Sequence, residues 1–215
     1  MKKSLTQSEL IATAKSFCAE DHSYQELFGV TDGKAVGTFI EQRFQQKLKS
    51  LYTIEVGSAA QGLDLPSIET DIKVTSIRQP QSSCPFRSAR QKIYGLGYNL
   101  LIFVYDKSDN QANKTAQLNF VNCTFVDKSR TADYQTTRGI LEILDRDGNH
   151  DDLIAFLSDR NLPGDEIVYN TLANEILQVP PALGYLTISN ALQWRLQYSR
   201  IVNLRETVPG IIKIL

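Results

Sequence analysis

The sequence predicts an α/β protein, a mixed central β-sheet flanked by helices with a helical C-terminal half. Three observations carry this. Residues 68–75 alternate apolar Ile68, Ile72 and Val74 with polar Glu69, Asp71, Lys73 and Thr75, the period of a half-buried strand. Leu100-Leu101-Ile102-Phe103-Val104-Tyr105 is a continuous apolar run, as a strand covered on both faces requires. A basic segment of helical character lies between the two, and a strand-helix-strand succession implies parallel pairing.

Taken in order, Thr6-Gln7-Ser8-Glu9 is a capping box, in which a hydroxyl and a carboxylate each satisfy a backbone N–H at a helix start. It opens a helix to about residue 19, with Leu10, Ile11, Ala14 and Phe17 on one side. Asp32 caps a second helix over 34–50, with Val36, Phe39, Ile40, Phe44, Leu48 and Leu51 at helical spacing. Glu41 falls at the edge of that stripe, near the core but not sealed in it. Residues 52–56 form a short strand, 58–62 turn the chain, and 68–76 form the strand that puts Asp71 and Lys73 on one face. Residues 77–85 read as a loop, where Arg78, Gln79, Gln81, Ser82 and Ser83 offer groups suited to phosphates or base edges. A short basic helix over 86–94 stops at Gly95, and 115–126 is a further strand, antiparallel and nearer the sheet edge. Helices follow over 131–145, 151–158, 165–177 and 188–202, broken at Pro163-Gly164 and Pro180-Pro181. The last presents Asn190, Gln193, Arg195, Gln197 and Arg200, side chains able to read bases or grip phosphates.

Composition excludes several classes. A chain of 215 residues, 42% hydrophobic and 22% charged, suits one domain, with a core over about 33–127 and a helical part over about 128–215. No apolar run is long enough to span a bilayer, and Met1-Lys2-Lys3 leads into a polar helix start, so the expected location is the cytoplasm. Cys18, Cys84 and Cys123 lack zinc or disulfide spacing and read as reduced, mostly buried thiols. With only His22 and His150, chemistry must lean on carboxylates and lysine. Gly29-Val30-Thr31-Asp32-Gly33-Lys34-Ala35 is one residue short of a P-loop and ends in Ala35, so no nucleotide cofactor is expected. The net charge of −1 conceals segregation: no acid lies between Asp71 and Asp106, where Lys73, Arg78, Arg87, Arg90 and Lys92 fall, nor between Glu175 and Glu206.

Asp64 precedes the alternating strand across the Pro66 turn, close enough to fold back against Asp71 and share a hard cation such as magnesium. The Lys73 ammonium, two residues along, can hydrogen-bond an attacking water and neutralise phosphate charge. Asp64, six intervening residues, then Asp71-Ile72-Lys73 resemble the motif of the PD-(D/E)XK nucleases, in particular the type II restriction endonucleases. Leu63 stands where the motif has proline, and Glu55 and Glu69 are the other acids that could serve as first ligand. The resemblance implies a restriction-endonuclease-like fold and magnesium-dependent, site-specific hydrolysis of double-stranded DNA by a homodimer. It also implies Glu41 as a further acid, with Asp64, Asp71 and Glu41 on the metal. Arg78, Gln81, Arg87, Arg90, Asn190, Gln193 and Arg195 are the expected DNA contacts. The alternatives are a repair or junction nuclease of the same fold and a non-catalytic DNA-binding module.

Overall fold

A computed structural model of the chain describes residues 2–55, 63–84, 88–189 and 194–215, the Trp194 side chain excepted. In chain order the elements are β1 (Lys3–Ser4), α1 (Gln7–Cys18), β2 (Ser23–Tyr24), α2 (Gly33–Leu51), β3 (Tyr52–Thr53), β4 (Thr70–Ser76), β5 (Gln81–Cys84), α3 (Arg90–Tyr94) and β6 (Asn99–Asn110). There follow β7 (Thr115–Val126), α4 (Tyr134–Asp145), α5 (His150–Asp159), α6 (Glu166–Gln178), β8 (Thr187–Ile188), β9 (Trp194–Gln197), α7 (Ser199–Val202) and β10 (Ile211–Lys213). They form two compact units, and the chain passes between them at residues 80–81, 98–99, 126–127 and 210–211.

The first unit holds a mixed sheet of order β10-β7-β6-β4, with β2 also paired to β7. β4 and β6 run parallel from Thr70 opposite Asn99 to Ser76 opposite Tyr105, while β6 and β7 are antiparallel. β7 thus has the expected direction. It lies one strand in from the edge, because segments from both ends of the chain, β2 and β10, pair with it. The predicted capping box of α1 and the Asp32 cap of α2 are both present. The apolar stripes of these helices, Leu10, Ala14 and Phe17 with Val36, Ile40, Phe44 and Leu48, pack against Ile72, Leu101, Phe103 and Phe125 of the sheet. Phe44 and Phe103 meet edge-on with centroids 4.9 Å apart, and burial of each such side chain contributes about 1.5–3 kcal/mol. Gly37 lets α2 lie directly on β4, since a β-carbon there would sit 3.0 Å from the Val74 carbonyl oxygen.

The second unit packs α3 to α6 around Ile93, Ile140, Leu153, Leu157, Leu172, Ala173 and Ile176. It also holds a three-stranded antiparallel sheet of order β5-β9-β8. Here two expectations are corrected. The segment 77–85 is not all loop, because Gln81–Cys84 is a strand, and the described part of 188–202 is strand and one short helical turn where a single helix was expected. The two errors have one cause. Leu196 and Tyr198 are buried while Arg195 and Gln197 are exposed, a period of two that is realised only by pairing with Gln81–Cys84, more than a hundred residues earlier. Cys84 and Cys123 are buried, Cys18 is half-buried, and all three are free thiols.

Candidate active site

A tight turn places the first carboxylate. Leu65 and Thr70 each donate a backbone N–H to the other's carbonyl, at 3.0 and 3.1 Å, so the residues outside this bridge, Asp64 and Asp71, return side by side. Asp64 Oδ2 accepts the Ile72 backbone N–H at 2.8 Å, a bond that the edge position of β4 leaves available. Asn99 of β6 locks the turn, its Nδ2 donating to the Ile68 carbonyl at 3.2 Å and its backbone N–H to that of Glu69 at 2.8 Å.

Along β4, Asp71 and Lys73 share a face by the strand period, and the Lys73 Nζ lies 2.6 Å from Asp71 Oδ2. Asp71 is only 7% exposed. Burial, followed by the hydrogen bond it shares with Asp64, pushes its carboxyl up to about 7. Asp64 is likewise raised by burial and by the Glu41 charge. Glu41, one face of α2 away, is raised by burial and hydrogen-bonded to Asp64. Lys73 is pulled down by burial, but the charges of Asp71, Asp64 and Glu41 hold its ammonium above its ordinary value.

Glu41, Asp64, Asp71 and Lys73 are therefore brought together. Glu55 and Glu69, the other acids considered for the first position, are exposed. Sequence reading passed over Gln45, whose Nε2 donates to Asp64 Oδ1 at 3.4 Å. It lies four residues after Glu41, one helical turn, and that spacing was the available signal.

The donor set fits a hard divalent cation. Magnesium keeps several waters and takes one or two protein carboxylates, and here Asp64 and Asp71 lie within hydrogen-bond reach of each other with the Glu41 charge beside Asp64. Among the described residues, no three His, Cys, Asp or Glu side chains form a ready-made metal cage.

Of the expected DNA contacts, Arg78 is exposed just after β4, Gln81 sits in β5 opposite Gln197, and Arg195 is exposed in β9 opposite Ser83. Arg90 is engaged within its own unit, donating from Nε at 2.9 Å and Nη2 at 2.5 Å to Glu175 and stacking 4.5 Å over Tyr94. Arg87, Asn190 and Gln193 lie outside the described residues. Lys92, counted in the same basic gap, is 1% exposed and faces the interior.

A mixed sheet flanked by helices, with two carboxylates and a lysine converging on its edge strand, defines a restriction-endonuclease-like α/β protein. A family profile described as Type II restriction enzyme NspV matches residues 4–213. The Type II restriction enzyme NspV of Nostoc sp. (strain ATCC 29411 / PCC 7524) is 58% identical over 212 residues, 98% of this chain and 96% of that protein. No solved structure matches. The chain belongs to the NspV family of type II restriction enzymes.

Proposed function

We propose that the chain is a magnesium-dependent endonuclease that cuts double-stranded DNA at a specific site, using Asp64, Asp71 and Lys73 with Glu41 in support. The observation that carries this reading is the 2.6 Å contact of Lys73 with Asp71 beside an Asp64 anchored on Ile72. Magnesium bound by Asp64 and Asp71 would offset phosphate charge and lower the pKa of nearby water. Asp64 is oriented by its bond from Ile72 and by Gln45, which hold it beside the Asp71 carboxylate. Lys73, held protonated by the surrounding acids, donates to the attacking water and to the oxygen on which charge accumulates. The water oxygen bonds to phosphorus as the P–O bond to the leaving sugar oxygen breaks; the water's proton passes to solvent, and the departing oxygen takes a proton from solvent to leave as a hydroxyl.

Arg78, Gln81, Arg195 and, from outside the described residues, Arg87, Asn190 and Gln193 are the candidate DNA contacts, with Arg90, which Glu175 holds through Nε and Nη2. A homodimer acting on a twofold-symmetric site matches two identical sites to two strands. The test is plasmid cleavage and duplex binding by Asp71→Ala and Lys73→Ala. Each variant is expected to bind DNA and to lose at least about a hundredfold in cleavage. Wild-type cutting by either would remove the site assignment.

A further inference from the structure

A cavity of about 230 Å³ in the first unit lies at the far end of β4 from the carboxylates, and Thr31, Ser76, Arg78, Tyr105, Lys107 and Asp109 line it. Ser76 lies five positions along from Asp71, roughly 16 Å in an extended strand, so this is a separate place on the protein. Four features make it a receptor for an oxyanion.

The 19-residue helix α2 begins here at Gly33, and the amide groups of a helix start carry partial positive charge. Tyr105 is 3% exposed, and its hydroxyl has no hydrogen-bond partner among the described residues. The hydroxyl is not one of the buried polar atoms left without a partner, so it opens on the cavity and is free to donate to a ligand there. Arg78 is exposed, and its guanidinium has no acid partner among the described residues. Ser76 Oγ accepts the Arg78 backbone N–H at 3.3 Å, which leaves its own O–H to donate inward.

The acids nearby are already occupied. Asp109 is held by Lys107 at 2.5 Å and by the Gly29 N–H at 3.1 Å, and Asp32 caps α2 through the Lys34 N–H. The Tyr105, Ser76 and Arg78 donors therefore border a space large enough for a tetrahedral group, together with the paired Asp109 and with Asp32 close enough for its charge to act on Tyr105.

We propose that this cavity binds a phosphate group through Tyr105, Arg78 and the start of α2, and that on a duplex the group is a backbone phosphate other than the one being cut. The duplex assignment rests on the function proposed above; the phosphate chemistry does not.

The experiment compares the full chain with its Tyr105→Phe and Arg78→Gln variants in two arms, both without divalent metal so that failure of the cleavage site cannot affect them. One arm is calorimetry with inorganic phosphate, and the other is anisotropy of random-sequence duplex over a salt series. For a backbone phosphate, Tyr105→Phe should weaken duplex binding by roughly tenfold or more whatever the sequence. Arg78→Gln should do the same and flatten the slope of log K against log salt by about 0.9. Loss of phosphate binding in both variants with duplex binding unchanged would keep the site and assign it to free phosphate. The melting temperature of Tyr105→Phe without ligand should equal or exceed that of the wild type, because the hydroxyl lost had no partner. Wild-type binding of both ligands by both variants, binding of neither by the wild type, or a melting temperature lowered by Tyr105→Phe would overturn the proposal.

Discussion

Binding of a divalent cation should be strongly pH-dependent near neutrality, because the ligand it needs most is half protonated there. Asp71 titrates at about 7 in the metal-free protein, and only the carboxylate can ligate. Its ionised fraction is then about one-tenth at pH ~6 and about nine-tenths at pH ~8, so the apparent affinity should improve roughly tenfold across that interval, about 1.4 kcal/mol. Asp64, also raised, acts in the same direction. Calorimetric titration with manganese or magnesium at the two pH values measures the ratio, and repeating it in buffers of different ionisation heat at pH ~7 should show release of about half a proton or more. The sign for stability is the reverse. A carboxyl raised from 3.8 to about 7 by folding contributes stability that is complete at low pH and is lost as pH rises through about 7. Metal-free protein should therefore weaken over that range by at most about 4 kcal/mol, and magnesium should restore it. Equal metal affinity at the two pH values, or the same pH dependence in Asp71→Asn, would refute the reasoning.

His22 is 2% exposed, hydrogen-bonded to the Phe17 carbonyl and the Tyr24 hydroxyl at 2.7 and 2.8 Å, and burial lowers its pKa below 6.5. Its contribution is intact above 6.5 and lost as pH falls, so the stability difference between wild type and His22→Gln should shrink on acidification, and an NMR titration midpoint at or above 6.5 would contradict this. Asp133 is 2% exposed and accepts the Thr136 N–H and hydroxyl and the Ile188 N–H at 2.9, 2.7 and 2.8 Å. Asp133→Ala should cost about 2–4 kcal/mol in denaturant unfolding, more than Asp133→Asn, and equal losses would mean that the polar contacts contribute little. If Arg195 reads a base, Arg195→Ala should narrow discrimination between target and single-base variants by about 1–3 kcal/mol with little change in salt slope; a uniform loss with a flattened slope would make it a phosphate contact.

Local features of the chain were enough to determine the helices that frame the first unit and the order of its chemistry. The Thr6–Glu9 box, the Asp32 cap and the apolar stripe of α2 depend on residues within a few positions of one another. The same is true of the period that sets Asp71 beside Lys73 on one face of β4. What the sequence could not supply was pairing across distance. The β5-β9-β8 sheet, the engagement of Arg90 by Glu175 and the burial of Lys92 depend on partners far away along the chain. Of the cations between Asp71 and Asp106, Arg90 is therefore held by an acid of its own unit and Lys92 faces the interior. The support of Asp64 by Gln45 and of the Ile68–Glu69 turn by Asn99 likewise comes from other elements. Tertiary structure alone decided these, because hydrogen bonding and charge act through space over a few ångströms, and only the folded chain specifies which residues are that close.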